Sequence, residues 1–222
     1  MVERLITFAA GAAGLLYVAD AIDKRNFLES AKSENGLAEV RSSVDGETYL
    51  VAGGAAAADL LARIRALAWQ TREELRKRLE KGAVPKEMRD AVARMLREVR
   101  RPADIRVAEM ALATKGEKAP IAFNRNKGEM IMLCISGPEP GTLVRDDRAL
   151  FVLLHELAHT MTSGYDPVDE NGRTVHSEEF YACERYVYSV VAEMGIMHPR
   201  DQQGAAVCGT SIRHPRPQTL PQ

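Results

Sequence analysis

The stretch Val152-Leu153-Leu154-His155-Glu156-Leu157-Ala158-His159-Thr160-Met161 constrains the fold more than any other part of the chain. Leu150, Leu154, Leu157 and Met161 recur at spacings of four, three and four, and no Pro or Gly interrupts residues 146–163, so the spacing predicts a helix with one apolar row. Such a row has to be buried against other elements. On that helix two side chains four residues apart stand one above the other, so His155 and His159 can reach a single ion. Zinc accepts imidazole nitrogen at about 2.0–2.1 Å. Glu156, beside the first imidazole, is then set to take a proton from a water held by that ion. A solvated helix with two incidental histidines is the plainer alternative, and the uncharged or apolar neighbours of the motif argue against it.

A catalytic zinc takes three protein ligands and keeps one position open. The third ligand has to come from downstream. A metzincin would carry Gly at 162 and His at 165, where this chain has Thr162 and Tyr165, so that class is excluded. His176 leads the candidates: Ser177 can cap a helix whose first turn carries Glu178 and Glu179, and Phe180, Cys183, Val187, Val190, Val191 and Met194 give that helix an apolar stripe. A His at the mouth of such a helix can complete the site. Glu179 or Glu184 would supply a carboxylate instead, while His198 reads as a loop residue and His214 as part of a Pro-rich tail. Cys183 reads as a small buried thiol.

With 222 residues the chain can hold one catalytic domain and an appendage. A net charge of −1 gives no global field for nucleic acid or anionic membrane. The three cysteines, Cys134, Cys183 and Cys208, are widely spaced and odd in number, which predicts free thiols rather than a disulfide framework; one bond with one thiol left over is the other arrangement they allow.

Residues 5–19 are uncharged and almost wholly apolar. As a helix they would span about 22 Å, short of a hydrocarbon core of about 30 Å. An N-terminal membrane anchor over residues 1–25 is the favoured reading, ahead of a buried soluble helix or a cleaved secretory signal ending near Ala19-Asp20-Ala21. Residues 26–48 are polar, lack a period and read as a linker. The remainder, 49–222, reads as one domain. A long helix is predicted from Ala55 to Glu80, ended by Gly82 and Pro85, and a second carries Met88, Val92, Met95 and Val99 and stops before Pro102. Eleven Lys or Arg against six Asp or Glu between Arg72 and Arg101 read as a solvated, ion-paired face; nucleic-acid binding is not expected from them. Strands follow at 105–108, at 120–124 and, most strongly, at 129–135, with a turn at 125–128. The last two form a hairpin ahead of the motif helix, and in a zinc peptidase such a strand can take substrate as an extra strand.

The ordered set Asn126-Lys127-Gly128-Glu129, His155 to His159, His176 to Phe180, and Cys208-Gly209 resembles the minimal zincins of the SprT and WLM type, and most of all the WLM-like metallopeptidases of large DNA viruses. The resemblance covers roughly residues 105–212. It implies zinc, peptidase chemistry and a compact α+β domain, with a small sheet packed on the motif helix and the helix after it, behind a helical lead-in at 55–101. Tyr181 stands where a Trp often follows the Phe. The expected mechanism holds zinc on His155, His159 and His176, with Glu156 as general base and Tyr181, Arg185 or Tyr165 as candidate oxyanion donors. The expected substrate is a protein or peptide. An inactive zinc-binding protein and a DNA-associated protease are the alternatives.

Overall fold

The computed structural model describes residues 36–110, 121–125, 130–139, 141–164, 166–167, 175–208, 210–212, 214, 216 and 219–221. The apolar segment 5–19, residues 126–128 of the expected turn, Glu129 of the expected strand and Tyr165 lie outside these residues. Among the described residues, no helix is long and apolar enough to cross a membrane.

Helices and small sheets alternate in a mixed α and β architecture. Strands β1 (Ala38–Arg41) and β2 (Thr48–Val51) form an antiparallel hairpin where a linker was expected. Its strands are only four residues long, too short for a period to stand out. The turn does carry a signal, Asp45-Gly46: Gly46 adopts φ 73°, a backbone that costs glycine nothing, and its N–H donates to the Ser42 carbonyl at 3.1 Å. Asp59 fastens the turn by accepting from Ser42 Oγ (2.7 Å) and Ser43 N (2.7 Å).

Helix α1 (Gly54–Glu80) follows, ended as expected by Gly82 at φ 69°. The Glu109 carboxylate accepts from Ala52 N and Gly53 N at 2.7 and 2.9 Å, placing negative charge where the helix dipole favours it. Helix α2 (Arg89–Glu98) is tied to α1 by Arg72, which donates to the carbonyls of Val99 (2.7 Å) and Leu96 (3.2 Å). Much of the basic charge here is paired: Arg76 with Glu73 and Glu80, Arg78 with Glu74 and Glu193, Arg94 with Glu179.

Strands β3 (Val107–Glu109), β4 (Ala122–Arg125) and β5 (Met130–Leu133) make a sheet of order β3-β5-β4, with β5 parallel to β3 and antiparallel to β4. Helix α3 (Asp146–Ala158) packs on β4, β5 and α1, and helix α4 (Glu178–Glu193) packs on α3 and α1. The apolar row of α3 is interior as expected, with Leu150, Leu154, Leu157 and Met161 all at most 1 % exposed. Each such side chain removed from water contributes roughly 1.5–3 kcal/mol. Phe151 and Tyr188 stack with ring centroids 4.6 Å apart, and the buried Tyr188 hydroxyl donates to the Phe151 carbonyl at 3.1 Å, which locks α4 against α3.

The expectation of three free thiols is corrected. Cys134, just after β5, is bonded to Cys208, in the turn between β6 (Ala206–Val207) and β7 (Thr210–Ser211), with Cα atoms 6.1 Å apart. Sequence spacing gave no hint because the two positions are 74 residues apart and meet only through the tertiary fold. Cys183 remains free and buried, and burial pushes its thiol up to about 11. Native protein at pH 8 should therefore incorporate no iodoacetamide, one equivalent after unfolding, and three after unfolding with reduction, counted by mass spectrometry. Two or more adducts on the native chain would contradict this pairing.

Candidate metal centre

The motif helix brings His155 and His159 to one face. Residues 159–161 continue α3 as a tight 3-10 turn, so the spacing of four still aligns the two imidazoles. Arg94 of α2 fixes this end, where helix carbonyls lack partners of their own: Nε donates to the Met161 carbonyl (2.7 Å) and Nη2 to Glu179 (2.6 Å). Glu179 in turn accepts from Ser163 N and Oγ, so it closes the turn and does not join the histidines.

His176 arrives from α4. Ser177 caps that helix as expected, its Oγ accepting from Phe180 N at 3.1 Å. The stripe of α4 is interior, and Phe180, fully buried, forms a floor beneath the three imidazoles: its centroid lies 4.9, 4.4 and 4.1 Å from those of His155, His159 and His176. One ring nitrogen from each of the three histidines lies within 4.8 Å of the others, close enough for all three to hold one metal ion. Tetrahedral bonding at about 2.1 Å asks for separations of about 3.4 Å, so binding would draw the rings inward by an ångström or so.

The donor set fits such an ion. Burial lowers the basicity of His176, which keeps a lone pair available at neutral pH. His155 Nδ1 lies 2.7 Å from Glu184 Oε1, an acceptor when ionised, so Nδ1 carries the proton and Nε2 is left with its lone pair. Asp166 Oδ2 stands 3.3 Å from His159 Nδ1 and 3.7 Å from His176 Nε2.

Glu156 sits at the edge of this cluster, 8 % exposed. Burial raises its carboxyl above the usual range, against the pull of His155 and of a hydrogen bond from Asn124. That moves it toward the basicity a proton acceptor needs at neutral pH. Asn124, on β4, also donates to the Glu156 backbone carbonyl at 2.7 Å, which ties the edge strand to the motif helix. Beside Glu156 and His155 opens a cavity of about 270 Å³ walled by Ile121, Ala122, Phe151, Val152, Ile212 and His214.

Glu184, a candidate ligand from the sequence, stands one layer out. Fully buried, it accepts from His155 and, through its other oxygen, from His214 Nε2 at 2.5 Å. His214 is likewise buried against α4 rather than loose in a tail, because the disulfide and the β6–β7 hairpin pin the preceding segment to the core. A carboxylate inside the apolar stripe at spacings of four from Phe180 and eight from His176 was the sequence signal for this role. His198 is exposed and takes no part. Of the oxyanion candidates, Tyr181 lies against His176 with centroids 5.8 Å apart, while its ring packs beneath Arg216 at 4.5 Å. Arg185 is half-buried, and its charge acts on Glu178.

Burial works to raise the Glu184 carboxyl, yet the two imidazole donors outweigh it and bring it from an ordinary 4.5 down to about 2. A depressed acid stabilises the fold above its unfolded value and loses that stabilisation as pH falls through the folded one. Metal-free protein should therefore lose on the order of 3 kcal/mol from this group between about pH 4.5 and 2. Urea unfolding of the parent and of Glu184→Gln should show a stability gap at pH 7 that shrinks by pH 2.5, whereas a pH-independent gap would contradict the assignment.

No family model matches the chain, and neither a curated protein nor a solved structure matches it.

Proposed function

We propose that the chain is a zinc-dependent metallopeptidase of the SprT and WLM kind, with His155, His159 and His176 as ligands and Glu156 as general base. The observation that carries this reading is the convergence of the three imidazoles beside a buried glutamate of raised basicity. Three neutral nitrogen donors suit zinc, which needs no redox chemistry and tolerates an open fourth position. When bound, zinc would lower the pKa of water toward about 7 and polarise the scissile carbonyl.

The chain's own residues do the rest. The Glu156 carboxylate accepts the proton of the attacking water and returns it to the leaving amine nitrogen. Glu184 keeps His155 in the tautomer that presents Nε2. An extended protein segment can add to the outer edge of β4, whose first residue Ala122 lines the cavity beside Glu156 together with the preceding Ile121. The pairing of Arg76, Arg78 and Arg94 with carboxylates favours protein over nucleic acid as the substrate. The N-terminal apolar segment would attach this domain to a membrane.

The test is cleavage of unfolded β-casein by the full chain carrying one equivalent of zinc. Cleavage arrested by 1,10-phenanthroline and restored by zinc is the expected result; an intact substrate, or chelator-resistant cleavage, would overturn the proposal.

A further inference from the structure

His214 comes from a segment with no spacing relation to the motif, yet it is buried at the back of the metal centre. Its two ring nitrogens are both engaged. The Arg216 backbone N–H donates to Nδ1 at 3.1 Å, so Nδ1 carries the lone pair, and the proton sits on Nε2, which donates to Glu184 Oε2. With both nitrogens engaged, His214 has no donor left for a substrate oxyanion, even though it borders the cavity beside Glu156. Its hydrogen bond goes to the carboxylate that holds His155.

Three further contacts fix the segment that carries it. Cys208 is bonded to Cys134, the His214 backbone N–H donates to Gln203 Oε1 at 3.1 Å, and Arg216 pairs with Glu178 at the start of α4. A lone buried carboxylate facing a single imidazole could rotate or take up a proton. With one donor on each oxygen, Glu184 is satisfied as an anion in one orientation.

We propose that His214 is a positioning residue of the metal centre: by donating to Glu184 it holds that carboxylate on His155 Nδ1 and so aims His155 Nε2 at the ion. The C-terminal segment is then part of the site and not an appendage to it. This rests on the reading of His155, His159 and His176 as ligands, and is tested by metal binding rather than by hydrolysis.

In the full chain, His214→Leu fills a similar volume without a donor, whereas His214→Gln carries an amide N–H near the position of Nε2. Outer-layer partners of metal-bound histidines typically contribute 10–100-fold in affinity. Competition with a chromophoric chelator should show His214→Leu binding zinc and cobalt 10–100-fold more weakly, with a shifted cobalt d–d band, and His214→Gln recovering most of both. A purely structural role would lower the melting temperature and leave affinity and spectrum unchanged in the folded fraction, which would overturn the proposal. If His214→Leu does not fold, nitrogen-15 NMR of the parent chain loaded with zinc decides. A slowly exchanging Nε2–H tautomer at His214 supports the proposal, and a solvent-averaged ring overturns it. Failure of the parent chain to bind metal would instead remove the reading on which it rests.

Discussion

Glu156→Gln is expected to bind zinc as the parent does and to lose hydrolysis by about 10²–10⁴-fold, the usual contribution of a positioned general base. The substitution is nearly isosteric, and the three imidazoles are untouched. It replaces the carboxylate that lines the cavity beside them with an amide that cannot take up a proton. The side chain is 8 % exposed, and burial raises its carboxyl in the folded state. An acid raised on folding weakens the fold wherever it is ionised, so the amide should also raise the melting temperature of metal-free protein at pH 7. Lost turnover with a gain in stability identifies a group kept for chemistry at a cost to the fold. Turnover retained in Glu156→Gln would remove the assignment of the base.

His176→Ala is expected to weaken zinc binding by at least about 10²-fold, since structural zinc sites draw about 10–16 kcal/mol from four ligands and this removes one of three protein ligands. The ring also stacks on Phe180, at 4.1 Å between centroids and 16° between planes, so some stability will go with it. Metal affinity has to be read on the folded fraction. Asp166 is the group best placed to compensate, its Oδ2 being 3.7 Å from His176 Nε2. Residual binding by His176→Ala that disappears on adding Asp166→Ala would identify a substitute ligand. Full affinity in both variants would show that His176 is not a ligand.

What could be read in advance follows the range over which a signal acts. The row of α3, the Ser177 cap and the Gly82 stop are local, set by helix periodicity and backbone conformation within a few residues, and they stand where the spacing put them. The hairpin β1–β2 was lost to its brevity, although Asp45-Gly46 marked its turn. The layer behind the three histidines was legible only in part. Glu184 breaks an apolar stripe, which is a visible anomaly, but its two partners lie 29 and 30 residues away, and nothing in the spacing selects them. The Cys134–Cys208 bond is the same case at longer range. Each of these contacts is made by packing of β5, α3, α4 and the C-terminal segment around one core, which no pairwise pattern along the chain encodes.

The most direct test is X-ray absorption at the zinc edge on the full chain, with the metal content of the same sample. The account predicts one zinc per chain, three imidazole nitrogens at about 2.0–2.1 Å and one further light ligand. The three-imidazole signal should be lost in His176→Ala. A substoichiometric metal, a sulfur shell, or a spectrum unchanged by that substitution would contradict it.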